Sequence, residues 1–504
     1  MNSPPEKTWT IDESVDGDAI LLIFSAVFNA SAGTPVKSKV TFFDDFDSHL
    51  WKADYLLYKT DIQQFKLVNP AGKISDISAT KNARFWWDFS DSKNVLQKII
   101  GLRALIPVAN LEFIEQQYFL YNEDQKIVAK ACLTQLILEG STFNYLTLQA
   151  LRGYTKDYER AAKALSGLIK TEVNHFGFKS ILLDHNVCAF VNNKKIEIVI
   201  DADASAEESV RAMALGLLDQ AKIHVDGAIS DIDTEFLHQF RVSLRKVRSL
   251  ISLLKKSLPQ KTIDVLRPKL SLIAQKTNKL RDLDVFLLDE TKYRKLLPDT
   301  FDKGLSELYT LIQKQRKAEQ KKLARYFSSE SYMNDMAACA EELSLPLVYE
   351  TDISRKPILK VAKKLLLNRY HKMFEISLGV SNQSADEDVH ALRIEFKKFR
   401  YLIEFFIELL PKKEITSLVG DLKKIQAVLG DFNDYSTQID FLKNYIDDDQ
   451  IEMSKSLSGL IAILHQKQVE EKCKVNDILA DFFTEKMTDK IDTIFGPTTQ
   501  GDSK

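Results

Sequence analysis

The chain repeats itself. Residues 238–248, HQFRVSLRKVR, match residues 390–400, HALRIEFKKFR, 152 positions later. A second block comes after each copy, LRDLDVF at 280–286 and LGDFNDY at 429–435, with gaps of 42 and 39 residues from the histidine. Duplication at so long a period means two copies of one structural unit. That unit is helical: from 204 to about 491 Leu, Lys, Glu, Ala and Gln dominate, with breaks at Pro259, Pro298, Pro346 and Pro411. Ser205 is the expected N-cap after the linker 201–205, with Glu208 three residues on in capping-box position.

On a wheel of about 100° per residue, His238, Arg241, Arg245 and Arg248 fall within one arc of about 80°. Leu237, Phe240, Leu244, Val247, Ile251 and Leu254 fall on another. In the second copy His390, Arg393, Lys397 and Arg400 form the polar stripe, and Val389, Leu392, Phe396, Phe399, Ile403 and Phe406 the apolar one. Each helix therefore buries one face and presents a line of cations headed by a histidine. Lys246 and Lys398 widen the lines.

A basic stripe is ordinarily just a solvated face. Here the usual partners are missing: between Phe236 and Lys256 stand six Lys/Arg and no acid. Further runs recur at 314–325 (Lys314, Lys317, Lys321, Arg325 among them) and at 355–372 (with Lys360, Lys363, Lys364, Arg369). Acids collect elsewhere, as at 386–388 and 447–449. Net charge is only −2, so this is sorting, not bulk excess. Cations lined up on one face repel each other, which points to a polyvalent anion as partner. His238 and His390 sit in no HExxH pattern, so zinc is not expected. For Asp282, Asp284, Asp431 and Asp434, capping or pairing with the basic rows is the preferred reading.

Residues 1–200 are strand-rich, with strands expected at 39–43, 54–58, 126–133 and 145–151 and a hairpin turning at 193–195. Helical pieces are expected near 91–100 and 157–171, giving an α+β or mainly β class. The four cysteines (Cys132, Cys188, Cys339, Cys473) are scattered, so reduced thiols and a cytoplasmic setting are expected. No signal peptide is evident at the N-terminus. The most apolar stretch, 19–32, is interrupted by Ser25, Asn29 and Ser31 and falls short of the ~20 residues that span a bilayer.

The two histidine motifs with their later blocks resemble the conserved histidine α-helical domain, CHAD, over about 204–490. The resemblance implies two pseudo-symmetric four-helix bundles around a basic groove or pore. The two repeats are placed at about 206–345 and 355–490, with 491–504 a tail. It also implies binding of inorganic polyphosphate and association with polyphosphate granules. By that resemblance His238, Arg241, Arg245, Lys246, Arg248, His390, Arg393, Lys397, Lys398 and Arg400 line the anion site. Residues 1–200 resemble the CYTH triphosphate-tunnel domain often fused to CHAD, through 42–51 (FFDDFDSHLW) and 121–128 (YNEDQKIV). The ExExK motif that holds the metal in active CYTH members is absent from residues 1–200. A degenerate, non-catalytic domain without metal or cofactor is therefore expected. Arg84, Arg103, Lys130 and Arg152 could line a tunnel, though strand-surface solvation accounts for them better.

Polyphosphate binding ranks first. A CYTH-type triphosphatase served by CHAD ranks second, against the missing ExExK. Nucleic acid ranks third, because Phe240, Phe396 and Phe399 fall on the core arc instead of interleaving with the cations.

Overall fold

In the computed structural model the residues described are 6–61, 64–70, 74–80, 82–90, 93–138, 141–173, 199–381, 383–446 and 451–496. The chain divides into two compact units, Met1–Lys194 and Lys195–Lys504.

The first unit is built on one antiparallel sheet: β1 (Glu6–Ile11), β2 (Asn29–Ala32), β3 (Val36–Asp44), β4 (Leu56–Thr60), β5 (Phe65–Val68), β6 (Ile74–Ile77), β7 (Ile106–Tyr121), β8 (Ile127–Leu138), β9 (Ser141–Ala150) and β10 (Ile169–Val173). The strands run β10-β1-β9-β8-β7-β3-β4-β5-β6, with β2 paired to β7. Period-two alternation sorts the side chains by face. Leu120, Leu133, Leu146 and Leu148 pack on one face with Phe24 of α1 (Gly17–Ser25) and Tyr158 of α4 (Thr155–Ala164). Val40, Phe42, Leu111, Phe113 and Tyr145 line the other. Leu50 of α2 (His49–Lys52) and Leu96 and Ile100 of α3 (Lys93–Ile100) pack in a further cluster with Leu57, Phe65 and Leu67.

The helix expected at 157–171 stops at Ala164, and Ile169–Val173 becomes β10. Ser166 and Gly167 interrupt the helical run, and the residues beyond them pair with β1. The longest strand, β7, has no counterpart among the expected strands. The expected hairpin turn at 193–195 lies outside the described residues.

The second unit is all helical, through α5 (Ala206–Lys222), α6 (Val225–Ile229), α7 (Thr234–Leu253), α8 (Gln260–Leu288), α9 (Glu290–Arg294), α10 (Asp302–Phe327), α11 (Glu330–Ser344), α12 (Ile358–Leu378), α13 (Asp386–Phe406), α14 (Lys412–Lys443), α15 (Ile451–Phe482) and α16 (Glu485–Phe495). Ser205 caps α5, its side chain accepting from the Glu208 N–H. Pro259 and Pro411 stand at the N-caps of α8 and α14. In the first repeat α5, α7, α8 and α11 bundle together, with α10 against α8. In the second α12, α13, α14 and α16 do so, with α15 against α14. Aromatics close each bundle: Phe240 meets Phe327 at 4.9 Å and Phe396 meets Phe482 at 5.6 Å between ring centroids.

The bundles are joined by a shared core. Phe286, Leu305 and Tyr309 of the first repeat pack with Leu442, Leu457 and Leu460 of the second. One boundary moves: α16 continues through Phe495, with Ile491, Ile494 and Phe495 buried, so the helical unit extends past 490 and residues 491–495 are not tail.

Candidate functional site

The two motif helices, α7 and α13, pack against each other. Their apolar arcs are buried throughout, from Leu237 to Leu254 and from Val389 to Phe406 at the positions the wheel assigns to the core. The remaining faces carry the cations. Arg245 and Arg248 are exposed, and His238, Arg241, Lys246, Arg393, Lys397, Lys398 and Arg400 are partly buried.

Neighbouring helices hold the inner cations in place. The Arg241 guanidinium donates to Thr277 Oγ1 at 2.5 Å, to Asn278 Oδ1 at 2.7 Å and to the Ala274 carbonyl at 3.3 Å, all on α8. Arg400 donates to Gln426 Oε1 of α14 at 2.7 Å. His390, exposed, has Nδ1 2.9 Å from Asn433 Oδ1 of α14. With Nδ1 donating there, Nε2 is the ring's remaining polar atom. Arg393 lies 3.9 Å from Asp434, and its buried Nε has no hydrogen-bond partner among the described residues.

The rows from the two repeats meet. Burial pushes the Lys397 ammonium down to about 8, and Arg393 and Arg245 beside it push the same way. Arg245 belongs to the first row and Arg393 to the second. Arg393 itself is disfavoured as a cation by burial and by Arg245, with Asp434 opposing. Arg241 is lowered chiefly by burial and opposed by Asp282, although a guanidinium stays charged at any ordinary pH. One acid bridges the rows: Glu404 lies 3.1 Å from Lys246 and 2.8 Å from Arg400.

Beside α7 opens a cleft of about 520 Å³ between α7, α8 and α13. Arg245, Arg248, Lys255, Arg267 and Lys398 line it, and among the described residues no carboxylate does. Arg267 and Lys255 are site residues that the sequence does not single out. No periodic signal marks Arg267, which only the packing of α8 on α7 brings into the cleft.

The further basic candidates stand apart, and none of the eight lines this cleft. Lys314, Lys317, Lys321 and Arg325 are exposed on α10, and Lys360 and Lys364 are exposed on α12 near the partly buried Lys363. Arg369 bonds Glu395, which also holds Lys398 at 2.8 Å and Lys372 at 3.4 Å. The acids of the second blocks sit within helices, so capping is not their role. Asp284 is buried and accepts from Arg316 at 2.8 Å; Arg316 also holds Asp231.

In the first unit the open side of the sheet encloses about 220 Å³. Arg84, Arg103, Lys130 and Arg152 do not line it. Arg103 pairs with Asp47 at 3.1 Å, and Lys130 lies over the Phe119 ring. Asp44, in the stretch 42–51, accepts backbone N–H bonds from Asp45, Leu50 and Trp51. Its carboxyl is pushed up to about 6, mainly by burial, and its role there is to shape a turn. Among the described residues no group of three His, Cys, Asp or Glu is placed to hold a metal, and no helix is long and apolar enough to cross a membrane.

The family model of the CHAD domain matches residues 212–443. This stretch is a CHAD domain. It contains both histidine motifs and both later blocks. Among solved structures, the chain is similar to the CHAD domain from the plant Ricinus communis, at 23% identity over 57% of this chain and 94% of that one, with a TM-score of 0.48. PptA from Streptomyces chartreusis is 12% identical over 55% and 100%, with a TM-score of 0.41. PH1819 from Pyrococcus horikoshii is 12% identical over 36% and 99%, with a TM-score of 0.22. No curated protein matches the chain.

Proposed function

We propose that the CHAD domain binds inorganic polyphosphate along the cationic rows of α7 and α13. One observation carries the reading. Burial, together with the charges of Arg393, Arg245 and Arg400 and against that of Asp434, disfavours the charge on Lys397. Such an arrangement is costly without an anion and favourable with one. Polyphosphate carries about one charge per unit and no sequence to read, so affinity can sum over many charge-assisted contacts. A stacking reader of nucleic acid fits less well, because Phe240, Phe396 and Phe399 are fully buried in the bundles.

On the same reading the protein associates with polyphosphate granules in the cytoplasm, and the N-terminal unit is a degenerate CYTH-like domain without hydrolytic activity. Support for the latter is the absence of ExExK and a sheet face lined mainly by apolar and hydroxyl side chains. The test is a competition gel shift with long-chain polyphosphate, RNA and DNA at matched charge. Polyphosphate should outcompete both nucleic acids; preferential retention of RNA or DNA would overturn the assignment.

A further inference from the structure

The first unit contains a cavity that the polyphosphate reading leaves unused. It lies on the sheet face opposite α1 and α4 and is lined from β1 and β3 to β9. Val40, Phe42, Leu56, Val68, Phe113 and Tyr145 form its buried interior. Hydroxyls stand above them: Thr8 and Thr147 are bonded to each other at 2.9 Å, and Tyr58 leans on Phe42 with ring centroids 5.4 Å apart.

Among the described residues of the lining charge is sparse: Lys66 and Glu115 are of opposite sign, and Glu115 is exposed. The remaining titratable groups stay neutral near neutral pH. Burial pushes the phenols of Tyr58 and Tyr145 up, and pushes the Cys132 thiol up to about 11. A phosphate chain entering here would meet one lysine and one carboxylate, with apolar walls unable to solvate it.

Size narrows the ligand. An apolar cavity of ~150 Å³ stays dry and takes benzene. This one, at about 220 Å³, has room for a second fused ring, and its hydroxyls offer a partner to one polar substituent.

We propose that this cavity binds an uncharged, largely apolar small molecule of about fused-bicyclic size bearing one hydroxyl or similar group. The ligand enters past Glu115, lays its rings on Phe42 and Phe113, and hydrogen-bonds among the threonine and tyrosine hydroxyls. The site is independent of the cationic rows and takes the opposite class of ligand.

The probe is 2-naphthol, titrated into the full chain by fluorescence with and without saturating tripolyphosphate. One saturable site per chain is expected, unchanged by tripolyphosphate. Val40→Trp and Thr147→Trp fill the cavity from β3 and β9 and should each weaken binding by about tenfold or more. Ser38→Trp, on the lining near the mouth, gives the same test should the interior variants fail to fold by circular dichroism. Absence of saturable binding to the folded parent would overturn the proposal. So would displacement by tripolyphosphate, or binding unchanged in the folded filling variants.

Discussion

Lys246 of the first motif helix ends 3.1 Å from Glu404 of the second, whose other oxygen accepts from Arg400 at 2.8 Å. A carboxylate thus sits as a built-in counterion where the two rows join. The first repeat has Ser252 at the matching position, 152 residues earlier, and Ser252 lines the cleft beside Arg245, Arg248 and Lys398. An incoming anion competes with Glu404 for the same two cations. Glu404→Gln should therefore strengthen tripolyphosphate binding about twofold to fivefold, the range of a partly exposed ion pair. Isothermal titration calorimetry decides it; weaker binding by E404Q would mean that the carboxylate organises the site instead of competing for it.

Lys397 should give the binding a pH signature. Its ammonium is pushed down to about 8 by burial and by Arg393 and Arg245. Below that pH it is charged and affinity should be flat; as pH rises through about 8 the charge is lost and affinity should fall. For stability the sign is opposite. The fold disfavours the protonated form, so stability should rise from about pH 8 toward the ordinary 10.5. Lys397→Met should abolish the alkaline fall in affinity while stabilising the protein at pH 7 by about 1 kcal/mol, after allowance for screening. Thermal melts and binding isotherms across pH 6–10 report both.

Arg241 and its row-mates should behave differently. The wheel places Arg241, Arg245 and Arg248 on one face, and within that row Arg241 is tied to Thr277, Asn278 and the Ala274 carbonyl. Arg241→Ala should cost about 1–3 kcal/mol by stranding those acceptors. Arg245→Glu with Arg248→Glu, both exposed, should leave the melt within about 0.5 kcal/mol of the parent and still abolish polyphosphate retention.

Arg316 belongs to the fold and not to the anion site. It pairs with Asp284, whose side chain is 1% exposed, and with Asp231. Arg316→Ala should destabilise by about 3 kcal/mol or more by leaving Asp284 buried and unpaired. Adding Asp284→Asn should recover much of the loss, as a double-mutant cycle by urea unfolding would show.

Periodicity decides how much of this structure is legible in the sequence. All twelve positions that the 3.6-residue pattern assigns to the core are buried, because one buried face fixes the wheel, and Phe236, Leu250, Tyr401 and Leu402 are buried beside them. The basic stripes come from the same wheel. Local turn chemistry is legible too, as with Ser205 at the start of α5. Tertiary neighbours are not. Arg267 and Glu404 matter because α8 and α13 pack on α7, which no local pattern states. β7 escapes a reading by pattern because Glu112, Glu115, Gln116 and Gln117 dilute its apolar alternation, and only its pairing with β3 and β8 makes it a central strand. The first residues of β10 fall at the end of the helix expected over 157–171, but Ser166 and Gly167 break that run and Ile169, Thr171 and Val173 suit the strand that pairs with β1.

The central claim is that the two rows act as one anion site. Its most direct measurement is the affinity for long-chain polyphosphate and for tripolyphosphate as a function of salt. The parent is compared with a row-one variant (Arg245→Gln, Arg248→Gln) and a row-two variant (Lys397→Gln, Arg400→Gln). A polymer spanning both rows displaces many counterions, so log affinity of the parent should fall steeply with log salt. Either variant should flatten that slope and weaken the long chain far more than tripolyphosphate, which can rest on a single row. If both ligands lose the same factor in each variant and the slope is unchanged, the rows bind separately and the account is wrong.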